Sequence, residues 1–124
     1  MKKEIAEAAP ADPRAFQKER ERLNEIVMKY AGPGIKRFYS LDHQAFLAGA
    51  LPPKTKELVG LVASLVLRCD DCVNYHLEQC RDQGVTDAEL TDALNIGLVI
   101  GGSITIPHLR RAFEFWNKIS GSGE

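Results

Sequence analysis

The sequence predicts an all-α protein, a compact bundle of five to seven helices. Apolar side chains recur at three- and four-residue spacing, clusters of glycine and proline separate these periodic segments, and no stretch shows convincing strand alternation. Of the 124 residues, 44% are hydrophobic and 27% are charged, which is the composition of a globular domain with one core. A single domain without an internal repeat is therefore expected.

This domain is predicted to span residues 12–119, between two short ends. Residues 1–11 are rich in alanine and glutamate, lack apolar periodicity and are expected to form a flexible leader. Residues 120–124 contain alternating serine and glycine, a composition typical of a flexible tail.

The first predicted helix covers residues 13–31. Asp12 is suited to its N-cap, and Pro13 is suited to the first helical position. Five apolar residues at helical spacing form one face of this amphipathic helix: Phe16, Leu23, Ile26, Val27 and Tyr30. A Gly-Pro-Gly sequence at 32–34 ends it, and one or two shorter helices are expected before Gly49.

Four further segments follow with clear start or stop signals. Residues 53–68 form a predicted helix with a broad apolar face made of Leu58, Leu61, Val62, Leu65 and Val66. Residues 70–83 form the next helix, which stops at Gly84 because glycine suits a left-handed C-terminal cap. Thr86 and Glu89 form a capping box that opens a helix through about Ile100, and a last helix continues from Ile106.

Charge and hydropathy favour neither nucleic acid nor a membrane as a partner. The 16 basic and 17 acidic side chains leave a net charge of -1. Glu4 and Glu7 interrupt the apolar segment that a secretory signal needs, and the apolar run over residues 58–67 is too short to span a bilayer. We therefore expect a cytoplasmic protein.

The residues that can carry chemistry are concentrated between Glu57 and His76. Three cysteines are too few for a secreted disulfide framework, and a Cys-x-x-Cys pair in a cytoplasmic chain indicates redox chemistry or metal binding. Cys72 and His76 are four residues apart, so they share one helix face within side-chain reach. Cys69 lies at the start of that helix, where exposed N–H groups favour a thiolate. One sulfur can therefore attack while the other resolves.

Glu57 reaches this motif only if the chain folds back on itself. Along one straight helix Glu57 would lie ~18 Å from Cys69. If the chain turns near Cys69 and the next helix packs antiparallel, His76 returns by about 10 Å towards Glu57. Asp70 and Asp71 should oppose thiolate formation, so His76 is the expected activator of the Cys72 thiol.

The spacing of these four residues resembles the signature of the alkylhydroperoxidase D group of the carboxymuconolactone decarboxylase superfamily: Glu57-x11-Cys69-x2-Cys72-x3-His76. The resemblance extends from about residue 35 to residue 116 and includes residues 51–58 and 101–112. It implies a helical bundle of the alkylhydroperoxidase D-like type that assembles into homo-oligomers, commonly trimers or hexamers.

The resemblance also implies roles for the four residues. Cys72 would be the peroxidatic thiol that attacks the O–O bond of an alkyl hydroperoxide, and Cys69 would be the resolving thiol. His76 would be the base, oriented or protonated by Glu57. No bound cofactor is implied, and an external dithiol carrier such as a lipoylated protein would regenerate the thiols. Some members carry a second histidine between the cysteines, where this chain has Asp71, and longer members contain additional helices.

Other interpretations of these residues stay open. The cysteines could be structural thiols, or could bind zinc together with Glu57. A four-ligand site that includes Cys80 is disfavoured because Cys69 and Cys80 would lie ~16 Å apart on one helix. A decarboxylase that needs no thiol and a non-enzymatic redox-sensing or metal-binding oligomer are the alternative functions. We predict a peroxidase with no metal site.

The remaining notable side chains are assigned structural roles. Cys80 is expected to behave as a small buried hydrophobic residue. His43 and His108 have no local partners and are expected at the surface or in packing contacts. Arg110 and Arg111 are expected on a solvated or inter-subunit face. Three aromatic residues are expected in the core or in an oligomer contact: Phe113, Phe115 and Trp116.

Overall fold

The computed structural model describes residues 12–120, and over this range the fold is all-α, as predicted. Six α-helices and one 3-10 turn follow in this order: α1 (Pro13–Tyr30), α2 (Pro33–Ala45), α3 (Pro53–Val66), α4 (Asp70–Asp82), α5 (Asp87–Gly101), the 3-10 turn (Ser103–Thr105) and α6 (Ile106–Ile119). Within residues 12–120 the chain forms no strand. The predicted leader, and the predicted tail beyond Ser120, lie outside the described residues.

The helix ends follow the local signals in the sequence. The Asp12 carboxylate accepts a hydrogen bond from the Ala15 N–H at 3.0 Å, which caps α1. At the start of α5, the Glu89 N–H donates to the Thr86 hydroxyl at 3.1 Å and the Glu89 carboxylate accepts from the Thr86 N–H at 2.9 Å. Gly84 has φ of 80°, the left-handed conformation expected after α4. These three predicted caps are confirmed.

The core is built around α3, which packs against both α4 and α5, while α4 also packs against α6. Its fully buried centre comprises Leu61, Leu65, Leu77, Leu90, Leu94 and Phe115. Gly97 permits the close approach of α5, because a Cβ atom there would lie 2.9 Å from Leu65 Cδ2. Phe16 anchors the start of α1 to this core through an edge-to-face contact with Phe115 at 5.7 Å.

The apolar faces of α1 and α2 are largely uncovered within one chain. Phe16 is the buried residue of α1, whereas Leu23 and Ile26 are 46% and 44% exposed. None of the residues of α2 is buried, and Phe38 is 67% exposed. The helical periodicity correctly predicts these two helices. Of their apolar side chains, however, Phe16 at the start of α1 is the one that is buried against the bundle.

The turn between α3 and α4 reverses the chain direction at the cysteine motif. The Cys69 N–H donates to the Ser64 carbonyl at 3.1 Å and the Arg68 N–H donates to the Leu65 carbonyl at 2.9 Å, which is the hydrogen-bond pattern of a Schellman cap. Arg68 supplies the left-handed residue of this cap with φ of 59°, a conformation more often taken by glycine. Cys69 is therefore held at the end of α3 and also begins α4.

Candidate active site

Cys69 and Cys72 form a disulfide across the first turn of α4, with their Cα atoms 5.3 Å apart. Cys69 is the N-cap of this helix, and its Sγ accepts a hydrogen bond from the Cys72 N–H at 3.2 Å. Cys69 is half-buried and Cys72 is exposed. The backbone N–H and the positive end of the helix dipole both favour negative charge on the Cys69 sulfur. Reduction would thus leave an exposed thiol at Cys72 and a helix-stabilised sulfur at Cys69.

Glu57 and His76 meet directly, because the Schellman turn folds α4 back along α3. Glu57 Oε1 lies 2.9 Å from His76 Nδ1. Their side chains are 8% and 13% exposed, so the pair is largely removed from water. From the sequence, a bridging water or a tilt of the helices was a possible way to connect these two side chains. The direct contact makes both unnecessary. Proton transfer between Cys72 and His76 stays a prediction from their four-residue spacing. The hydrogen bond that the imidazole makes in the structure is to Glu57.

The imidazole occupies a fitted site against the backbone of α3. A Cβ atom on Gly60 would lie 2.8 Å from His76 Cε1, 3.0 Å from Nε2 and 3.1 Å from Nδ1. The Phe46 and Tyr75 rings also contact the imidazole, with centroids 5.3 Å and 5.2 Å away. Glu57 and Gly60 lie three residues apart, on the same face of α3. This face therefore provides both the hydrogen-bond partner of the imidazole and the space for it.

Lys56 holds the turn that carries Phe46. Its Nζ donates to the carbonyl of Ala45 at 2.9 Å and to the carbonyl of Leu47 at 2.8 Å. A cation at the C-terminal end of a helix satisfies free carbonyls and complements the helix dipole. Lys56 thereby joins the end of α2, which otherwise makes few contacts, to the helix that bears Glu57. None of the three residues Gly60, Phe46 and Lys56 was predicted to be part of the site.

A second polar cluster lies at the start of α4, next to Cys69. The Asp70 carboxylate lies 2.8 Å from His108 Nδ1 through one oxygen and accepts from Arg111 Nε at 2.8 Å through the other. Asp70 and His108 are 17% and 20% exposed, so both are mostly buried. His108 thus lies in a packing contact between α4 and α6, one of the two roles expected for it, and the Arg111 side chain stays 49% exposed, in line with the solvated face expected there. Arg111 offsets the charge of Asp70, whereas no ion pair of Asp71 is found among residues 12–120.

Cys80 is separate from the Cys69–Cys72 disulfide. It is completely buried, as predicted, and burial raises the pKa of its thiol from 9.0 to about 12, with a further contribution from the Glu57 charge. A thiol in this environment stays protonated and is a poor nucleophile or metal ligand. Among residues 12–120, no three His, Cys, Asp or Glu side chains are arranged to hold a metal ion.

Of the other residues singled out in the sequence, some lie in the core and others are exposed. Phe115 and Trp116 lie in the core as expected, and the Trp116 indole N–H donates to Asp87 at 2.7 Å. Phe113 is 36% exposed. His43 is exposed on α2 and borders a cavity that reaches Glu57. Over the described part of the chain, each helix is too short or too polar to cross a membrane.

Residues 35–115 match the model of the carboxymuconolactone decarboxylase family. A curated relative, an uncharacterized protein of Cupriavidus necator, is 26% identical over 105 residues, which cover 80% of this chain and 93% of the relative. The structure of TM1620 from Thermotoga maritima has a TM-score of 0.86 at 49% identity and covers 89% of this chain and 96% of that chain.

A second structure of TM1620 has a TM-score of 0.81 at 51% identity, with 85% and 89% of the two chains covered, and its description suggests involvement in an antioxidative response. The apo form of lpg0406 from Legionella pneumophila shares the fold, with a TM-score of 0.81 at 23% identity over 90% of this chain and 99% of that chain. The family match covers the cysteine motif, Glu57, His76 and the helices that position them, and the chain belongs to the carboxymuconolactone decarboxylase family.

Proposed function

We propose that this protein is a thiol-dependent peroxidase that reduces alkyl hydroperoxides through the Cys69–Cys72 pair. The observation that carries the proposal is the position of the disulfide at the start of α4, one helical turn before an imidazole bonded to a buried carboxylate. This arrangement combines an exposed sulfur, a second sulfur within disulfide distance and a proton acceptor. The antioxidative role suggested for TM1620 agrees with the same chemistry.

The proposed cycle has two oxidative steps and one reductive step. The Cys72 thiolate attacks the outer oxygen of ROOH, the O–O bond breaks, and protonation of the leaving group releases the alcohol ROH. The Cys69 thiol then attacks the resulting sulfenic acid, which forms the disulfide and releases water. A dithiol donor returns both cysteines to thiols and becomes a disulfide itself, so two electrons pass from the donor to the peroxide.

His76 is proposed to accept the Cys72 proton and to return a proton to the leaving alkoxide. Glu57 orients the imidazole through Nδ1, because the carboxylate lies 2.9 Å away in a mostly buried pair. The Arg111 partner of Asp70 removes part of the negative charge that would oppose a thiolate at the motif. Asp71 remains the residue that limits this activation.

The regenerating partner is proposed to be a protein that carries a dithiol, such as a lipoyl group, and not a cofactor bound to this chain. Exposure of Cys72 supports this, since a macromolecular donor must reach one sulfur of the disulfide. We also place the protein in the cytoplasm, where a disulfide between catalytic cysteines is transient.

A homo-oligomer, a trimer or hexamer, is proposed to cover the apolar surface left open in one chain. Several large apolar side chains are more than half exposed: Phe38, Leu41, Val59, Leu67, Ile96, Val99, Ile100 and Ile104. Exposed apolar side chains in this number are typical of surfaces that bind another protein chain. Sedimentation equilibrium tests the assembly, and a monomer at micromolar concentration would contradict it.

The function is tested by thiol titration and mass mapping before and after one equivalent of an organic hydroperoxide. The expected result is rapid formation of the Cys69–Cys72 disulfide with loss of one peroxide. Cys72→Ser should abolish peroxide consumption, whereas Cys80→Ala should retain it because that thiol is buried and protonated. Full turnover by Cys72→Ser would overturn the mechanism. Activity on a muconolactone without either cysteine would instead favour a decarboxylase.

A further inference from the structure

A cavity of about 250 Å³ lies beside the Glu57–His76 pair. Asp42 and Phe46 border it on the α2 side, Pro53 and Glu57 on the α3 side, and Tyr75 on the α4 side. We call this cavity the α2 groove. Its walls are partly apolar and partly polar, and the polar part includes Gln79, Gln83 and the buried carboxylate of the proposed proton relay. Its volume falls below the ~300 Å³ at which sites for drug-sized ligands begin, so it suits a small organic group.

The α2 groove begins close to the exposed cysteine. Tyr75 lies three residues after Cys72 on α4, a spacing that brings their Cβ atoms to about 5–6 Å. Asp42 also borders a second cavity of about 400 Å³, whose lining includes Asp71 between the two cysteines. Asp42 therefore borders both cavities, and Asp71, the residue before Cys72, borders the second.

The charges around the α2 groove are mainly negative. Asp42 and Glu57 contribute carboxylates, and Asp71 adds another in the adjoining cavity. Burial raises the pKa of the Tyr75 hydroxyl, the Arg20 charge opposes this rise, and the Glu57 and Asp42 carboxylates add to it. Both carboxylates thus act electrostatically on a side chain that lines the groove.

The cations near the groove do not offset these carboxylates fully. The Arg20 guanidinium lies 4.0 Å from the centroid of the Tyr75 ring, where it already makes a cation–π contact. His43 also borders the cavity and is exposed. Among the described residues that line the two cavities, three carboxylates therefore stand against one guanidinium, with His43 at the α2 groove and His76 bonded to Glu57.

We propose that the α2 groove binds the organic part of the hydroperoxide and selects small neutral hydroperoxides over those that carry a carboxylate. The inference rests on the proposed peroxidase function and adds a substrate class to it. Asp42 is a specificity-determining residue because it borders both cavities and belongs to α2, a helix that carries none of the four proposed catalytic residues. Its charge raises the energy of an anionic substrate without taking part in proton transfer.

The test compares a short tertiary hydroperoxide that has a terminal carboxylate with its methyl ester, which lacks the charge and is larger by one methyl group. The wild-type kcat/KM for the ester should exceed that for the acid by roughly 2- to 30-fold at low ionic strength, which is the range for two unit charges about 8 Å apart between bulk water and a protein surface. The ratio should fall as salt screens the carboxylates. Asp42→Asn should reduce the ratio by about twofold or more.

Asp92→Asn is the matched control, since it removes an exposed carboxylate from α5, outside the α2 groove, and should leave the ratio unchanged. Equal kcat/KM values for the acid and the ester, both in the wild type and in Asp42→Asn, would refute the selection of neutral over anionic hydroperoxides. They would not contradict the proposed peroxidase function. Failure to consume any hydroperoxide would instead overturn the proposed function.

Binding of the two product alcohols, one with the carboxylate and one with its ester, provides a measurement independent of turnover. Changes in the NMR signals of the Phe46 and Tyr75 rings should appear at lower concentration for the ester. Unchanged ring signals with both alcohols would overturn the assignment of the groove as a binding site, even if the protein reduces peroxides.

Discussion

Gly60→Ala is expected to impair the proposed peroxidase by displacing His76. The new Cβ would lie 2.8–3.1 Å from three atoms of the imidazole. Carbon atoms in contact normally lie about 3.5–4.0 Å apart, so the ring must retreat by roughly 0.5 Å or more. The Glu57–His76 hydrogen bond starts at 2.9 Å, and the same displacement would extend it beyond the usual limit of ~3.2 Å.

The expected loss of rate is roughly 10- to 100-fold, because a displacement of about 1 Å at a catalytic group costs up to a factor of 100. Stability should change less. Alanine gains about 1 kcal/mol over glycine inside a helix, whereas overpacking costs ~1–3 kcal/mol, so the net loss lies between zero and about 2 kcal/mol. Activity should therefore fall further than the folded fraction of the protein.

Single-turnover stopped-flow measurements of peroxide reduction, taken across pH, separate these effects. Gly97→Ala is the matched control, since its Cβ would meet Leu65 Cδ2 at 2.9 Å and would crowd the core away from the imidazole. It should lose stability but keep the rate and the pH profile. A wild-type rate and pH profile in Gly60→Ala, or an equal loss of rate in Gly97→Ala, would refute the role of Gly60 in positioning His76.

Three further predictions concern the surroundings of the site. Lys56→Gln should lower the single-turnover rate several-fold by releasing the turn over the imidazole, whereas Lys54→Gln, which removes a 2.9 Å ion pair to α5, should not. Asp70→Asn should destabilise the fold by about 1.5–3 kcal/mol in urea titrations, because it removes the charge from two hydrogen bonds between α4 and α6; an unchanged midpoint would contradict this. Burial of Cys80 raises its pKa from 9.0 to about 12, so the thiol stabilises the fold fully below pH 9 and loses this contribution as pH rises towards 12. Between pH 9 and pH 12 the free energy of unfolding of the wild type should fall by about 1.4 kcal/mol per pH unit more than that of Cys80→Ala. If the two free energies of unfolding fall in parallel with pH, the raised pKa of Cys80 is refuted.

Most of the helices can be predicted from the sequence because their signals are local. The Asp12 cap, the capping box at Thr86 and the left-handed Gly84 each depend on residues within a few positions of one another. The disulfide spacing is also local, since Cys69 and Cys72 share one helical turn. Neighbouring residues along the chain decide all of these features.

Contacts between distant segments could not be predicted with the same success. Asp70 lies 38 residues before His108 and 41 before Arg111, so their cluster requires knowledge that α4 packs against α6. A signal was present, because His108 and Arg111 are three residues apart and share a helix face. Gly60 also left a signal, since glycine inside a helix usually has a packing reason. Neither signal identifies the distant residue that is contacted, Asp70 in the first case and His76 in the second.

The sequence alone determined the all-helical class, the redox pair and the helix face shared by Cys72 and His76, because helical geometry relates residues three or four positions apart. It left the contact between Glu57 and His76 conditional on a reversal of the chain. The tertiary structure decided that contact, because the cap at Arg68 sends α4 back along α3 and places the carboxylate 2.9 Å from the imidazole. It also paired Asp70 with Arg111, while no cation within residues 12–120 forms an ion pair with Asp71 beside the cysteines.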